Sequence, residues 1–149
     1  MLSMMRKSVF SALLLLAGVL WFSPMAGAQS GFQLIVHEDN PYESISQEQA
    51  SDFFLKKDST WDDGTPVQPI DLSKPASVRE AFSLAVLKRS PNEIRKYWQR
   101  QIFTGRNSSP PEKDSEADII AFVRANRGAI GYVSAGARLG DGVRALRLR

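Results

Sequence analysis

The stretch PIDLSKPASVREAF (Pro69 to Phe82) gathers Ser73, Ser77 and Arg79 where an apolar run turns into a helix. Two hydroxyls and a forked guanidinium at such a turn suit one task, the gripping of a small oxyanion. The first turn of a helix adds free N–H groups, here including that of Val78, and a partial positive charge. Ser73, Ser77, Val78 and Arg79 are therefore the candidate ligand-binding residues. A plainer role competes. Glu80 stands where a glutamate can fold back on Ser77 and close the helix end without any ligand. Asp71 also brings a negative charge to the mouth of the loop, which repels an anion.

Elsewhere the chain offers less chemistry. It has no cysteine, which removes thiol catalysis, iron–sulfur clusters and cysteine zinc sites. Its one histidine, His37, lies beside Glu38 and Asp39, but no second set of ligands occurs at helical spacing, so neither a metal nor another cofactor is expected. No Gly-x-Ser-x-Gly elbow is present to start a serine triad. WDDG (Trp61 to Gly64) pairs two carboxylates, yet the same residues make an ordinary solvated turn. No residue is assigned a catalytic role. Arg95, Lys96 and Arg100 fall on the outer side of a helix whose Tyr97 and Trp98 sit at core spacing. They form either a solvated face or a docking surface.

The first 28 residues read as an export signal. Arg6 and Lys7 precede the apolar run SALLLLAGVLWF (Ser11 to Phe22), and AGA (Ala26 to Ala28) offers a cleavage site before Gln29. That run is shorter than the about 20 residues a membrane span needs, so none is expected after cleavage. The mature chain, residues 29–149, would be one periplasmic or secreted domain held by packing alone. Losing Arg6 and Lys7 lowers the formal charge from +3 to +1. What remains is unevenly spread. Gln29 to Asp63 carries eight acids against two lysines, and Lys88 to Arg106 carries six basic residues against Glu93. Without aromatic–basic interleaving, nucleic acid is not an expected partner. The basic stretch suits small anions, lipid headgroups or an acidic protein surface.

The elements that must position these groups follow from periodicity. FQLIVH (Phe32 to His37) reads as a buried strand and EDNPYES (Glu38 to Ser44) as a loop. Ser46 and Gln49 open a helix by a capping box, with Ala50, Phe53 and Phe54 inward. Trp61 should fold back onto the core. VQPID (Val67 to Asp71) is a second strand, which Pro66 and Pro69 confine to an edge or a short length. Val78, Ala81, Phe82, Ala85 and Val86 give the next helix a buried stripe. Ser90, Pro91 and Glu93 start another, with Ile94, Tyr97, Trp98 and Ile102 apolar and Gly105 as its stop. Arg106 to Asp114 is a surface loop. A fourth helix follows Ser115, with Ile119, Phe122 and Val123 inward and Gly128 closing it. AIGYV (Ala129 to Val133) and VRALRL (Val143 to Leu148) complete the strands. Strands alternating with helices imply an α/β domain with a mixed or parallel sheet.

The order of these segments resembles a known family. FFLKKDSTWDDGTPVQPID, the serine-opened helix, YWQRQIFTG and RGAIGYV together look like a periplasmic substrate-binding protein. The similarity is greatest to the phosphate-binding component of ABC uptake systems, and it runs from about Leu34 to Val133. It implies one lobe of a type 2 periplasmic-binding-protein-like fold, a mixed sheet flanked by about four helices, binding phosphate or a similar oxyanion. It also implies an ABC permease, or another protein completing the cleft, as partner. Family members close two lobes on the ligand, and this chain resembles only the second. Their gripping loop is an arginine followed by Ser-Gly-Thr; here the stretch is DLSKPASVR, with Asp71 at the arginine and Pro75 or Ala76 at the glycine. Ser77 matches the family's serine at the helix start, and Arg79 offers a replacement cation.

Overall fold

The computed structural model describes residues 31–73 and 75–149, so the expected signal segment lies outside the described residues. The strands are β1 (Phe32–His37), β2 (Ser44–Ile45), β3 (Gln68–Pro69), β4 (Asp71–Leu72), β5 (Glu112–Lys113), β6 (Ala129–Ser134) and β7 (Val143–Leu148). The helices are α1 (Gln47–Phe54), α2 (Ser77–Phe82), α3 (Pro91–Phe103) and α4 (Glu116–Ala125). Five strands form one sheet in the order β2-β7-β1-β6-β3, and β4 pairs with β5 in a second, small one. β1 runs antiparallel to β6 and β7, while β2 lies parallel to β7 and β3 parallel to β6. This is a mixed sheet in an α/β fold.

Alternation along the strands assigns the two faces of the sheet. Leu34 stands opposite Tyr132, and Ile35 opposite Gly131. Tyr132 stacks on Phe82 of α2 at a centroid distance of 4.0 Å and meets Phe54 of α1 at 6.0 Å. On the other face a Cβ added to Gly131 would lie 2.9 Å from Ile119 of α4 and from Ile70, so only glycine lets α4 approach this closely. Helices thus cover both faces, and apolar residues from β1, β6, β7 and all four helices merge into one core.

Several expectations need correction. The segment read as one strand, Val67 to Asp71, is split: β3 is a two-residue edge strand, and β4 turns away to pair with β5. The loop from Arg106 to Asp114 therefore contains a strand, and Ser44–Ile45, at the end of the other expected loop, joins β7. Ile102 is 58% exposed rather than inward, because the buried stripe of α3 ends at Trp98. α4 ends at Asn126 before Gly128 is reached. The Ser46 hydroxyl accepts from the Gln49 N–H as expected, but the Gln49 side chain reaches Asp62 instead of closing the box.

α2 continues into a π-helical turn, Ser83–Leu87, which ends on Lys88 in the left-handed conformation at φ 56°. Ser83 is buried, and its hydroxyl donates to the Arg89 carbonyl at 2.6 Å. The widened turn keeps Val86 and Leu87 both in the core.

Candidate functional site

The first turn of α2 begins one residue earlier than a serine cap would place it. Ala76 is the N-cap, with extended backbone and no side-chain hydrogen bond, and Ser77 is the first helical residue. The expected Ser77–Glu80 closure is therefore not made, and the Glu80 N–H bonds back to the Ala76 carbonyl instead. The other three helices all start on a serine whose hydroxyl accepts a first-turn N–H: Ser46, Ser90 and Ser115. Among the described residues no group accepts from the N–H groups of Ser77, Val78 or Arg79.

The candidate residues divide between two neighbouring hollows that share Arg79 and Arg95. One, of about 550 Å³, is lined by Ala76, Ser77, Glu80 and the start of α3 at Ser90 to Asn92. Its far wall is a finished helix end, since Ser90 and Glu93 close a full capping box. The other hollow, of about 280 Å³, holds Asp71, Ser73 and Glu112 against Ile94, Trp98 and Ile102. Val78 is buried, so only its backbone could face a ligand.

Arg79 is less available than its sequence position implies. Its side chain is 15% exposed and lies 3.6 Å from both Asp71 and Glu112, with one N–H donating to the Ser73 carbonyl at 3.1 Å. Ser73 turns its hydroxyl to Asp114. Asp71 is fully engaged: the Tyr132 hydroxyl donates to it, as does the Leu72 N–H at 2.8 Å. Burial, reinforced by Asp71, pushes the Tyr132 phenol above its ordinary value. Two carboxylates thus flank a single guanidinium below the α2 start, with Asp114 bonded to neighbouring Ser73, and their field opposes an oxyanion there. Arg95 differs. It is exposed and forms no ion pair among the described residues, so it is the free cation between the two hollows.

The remaining candidates lie apart from this region. His37 accepts the Asp39 N–H on its Nδ1 at 3.1 Å, and no group of ligands suited to a metal ion occurs among the described residues. WDDG forms a turn: the Gly64 N–H bonds the Trp61 carbonyl, Gly64 has φ 83°, and the Thr65 N–H holds the Asp63 carboxyl below its usual range. Trp61 is buried, and its indole N–H donates to the Gly128 carbonyl at 3.1 Å. The WDDG turn and the GAIGYV strand therefore touch. Lys96 and Arg100 are exposed on α3, and Arg89 rather than a ligand lies over the Tyr97 ring, 5.2 Å from its centroid. Sequence reasoning missed Glu112 and Asp114, whose arrival opposite Asp71 and Ser73 depends on the β4–β5 pairing.

No family model matches the chain, and no curated protein matches it. Solved structures do. A protein described as a phosphate ABC transporter substrate-binding protein, with phosphate bound, from Clostridium perfringens aligns with a TM-score of 0.62 and 22% identity over 79% of this chain and 44% of its own. An ABC-type phosphate transport receptor from Vibrio cholerae gives 0.60 and 16%, covering 79% of this chain and 46% of its own. PstS from Borrelia burgdorferi gives 0.60 and 11%, covering 80% and 47%. The chain spans less than half the length of each of these structures. At such identity the likeness rests on backbone and packing. The chain has the fold of part of a substrate-binding protein of the phosphate ABC transport type.

Proposed function

We propose that this chain is an exported, non-catalytic substrate-binding-like protein connected with ABC-type phosphate uptake. It would take phosphate or a similar oxyanion in the hollow between the first turns of α2 and α3. The observation that carries the reading is the uncapped start of α2 beside exposed Arg95, in a fold whose solved examples include one with phosphate bound. Ser77 and the first-turn N–H groups would contact the anion, and Arg95 would supply the charge that Arg79 spends on Asp71 and Glu112. A hollow open to water makes each such hydrogen bond weak in net terms, so binding is expected to be millimolar. A permease, or another protein completing the cleft, would raise it.

Calorimetry with inorganic phosphate tests this. Wild type should bind at millimolar concentration, and Arg95→Ala should weaken binding about tenfold, the loss of one charged hydrogen bond. No heat at millimolar phosphate would end the proposal. A second reading is then favoured by the saturation of Arg79: a module that kept the fold, lost the ligand and docks a protein through Arg95, Lys96 and Arg100.

A further inference from the structure

The C-terminal end of α3 carries a feature that the oxyanion hollow does not use. Phe103 is 93% exposed and Ile102 58%, the two most exposed of the large hydrophobic side chains among the described residues. Lys96, Arg100 and Phe103 lie one helical turn apart in succession and line one shallow surface with Gln99 and Thr104. Arg106 follows just beyond, where Gly105 turns the chain at φ 66°. Arg95, Lys96, Arg100 and Arg106 form no ion pair among the described residues. The result is an exposed aromatic beside Lys96 and Arg100, with exposed Ile102 next to it in the chain and Arg106 just beyond.

We propose that this helix tip is a peripheral docking site for an anionic lipid surface. The charge selects a negatively charged partner, and the shape selects among such partners. A stable protein interface needs about 800 Å² per side around a packed apolar centre. Here the apolar part is two exposed side chains at a helix end, too little for such a centre. A bilayer interface needs no matching pocket: a ring enters the headgroup region while lysine and arginine stay at the phosphates. Phe103 supplies the insertion, and Lys96, Arg100 and Arg106 the attraction. The site is separate from the α2 hollow, so it stands or falls independently of phosphate binding.

Cosedimentation with vesicles tests it, using the chain from Gln29 onward. That chain carries the whole described sheet and core, and it omits the apolar residues Ser11 to Phe22, which would bind lipid themselves. A circular dichroism melt of each variant confirms folding. Wild type should bind vesicles of phosphatidylglycerol and phosphatidylcholine, release with added salt, and ignore pure phosphatidylcholine. Phe103→Ser should weaken binding by about tenfold, given the transfer energy of a buried ring. Lys96→Glu with Arg100→Glu should weaken it by more than about twentyfold, at roughly fivefold per cation removed. Phe103→Trp should retain binding and gain fluorescence quenching by brominated lipid. Three outcomes would overturn the proposal: no binding to the anionic vesicles, binding that none of these substitutions changes, or a Phe103-dependent self-association without vesicle binding, which would make the partner a second copy.

Discussion

Arg79 is the residue on which the interior electrostatics turn. It holds Asp71 and Glu112 at 3.6 Å each, and Asp71, only 14% exposed, also accepts from the Tyr132 hydroxyl and the Leu72 N–H. Removing the cation leaves a largely buried carboxylate without its charge partner, so Arg79→Ala should cost about 2 kcal/mol in a denaturant titration. Tyr132→Phe should cost about 1 kcal/mol, because Asp71 keeps its other two partners. The phenol adds a pH signature. Its pKa is raised in the folded state, so the stability of its neutral form is complete below the ordinary tyrosine value of about 10 and drains away as pH rises past it. Thermal melts in alkali should therefore fall more steeply for wild type than for Tyr132→Phe.

At the scale of elements, α3 shows local rules holding. Ser90 accepts the Glu93 N–H, the Glu93 carboxylate accepts the Ser90 N–H at 2.7 Å, and Pro91 takes the first helical position. Ser90→Ala should lower stability by about 1 kcal/mol, read from a thermal melt. The bond from the Ser90 N–H holds the Glu93 carboxyl below its usual value. Its contribution is thus present above the ordinary carboxylate range and lost as pH falls through the lowered value. Such starts were legible in sequence because every partner lies within one turn. The start of α2 was not. There the serine is displaced one place into the helix, because burial of Val78, Phe82 and Val86 sets the phase and the chain arrives extended at Ala76. The acids facing Arg79 and Ser73 were equally hidden: Glu112 and Asp114 follow Pro110 and Pro111 in a stretch that reads as loop, and only pairing with β4 brings them in. The missed exposure of Ile102 has a third cause, since helical spacing says which residues share a side, not how far the core extends along it.

For the whole molecule, the α/β class followed from the alternation of apolar periods, which left the sheet mixed or parallel and did not say that helices cover both faces; the solved structures share the fold. Strand order was another matter. β1, the first strand described, sits at the centre of the sheet, flanked by β6 and β7 from the far end of the sequence. Its apolar residues Leu34, Ile35 and Val36 need both neighbours. A chain stopped before Val143 should accordingly fail to fold, giving no cooperative melt, while one retaining β7 should melt in a single transition. That placement dictates timing. The centre of the sheet cannot close until the segment from Ala129 to Leu148 has emerged, because β1 pairs with nothing made before it. Until that segment arrives, Leu34, Ile35 and Val36 lack the two strands that cover them.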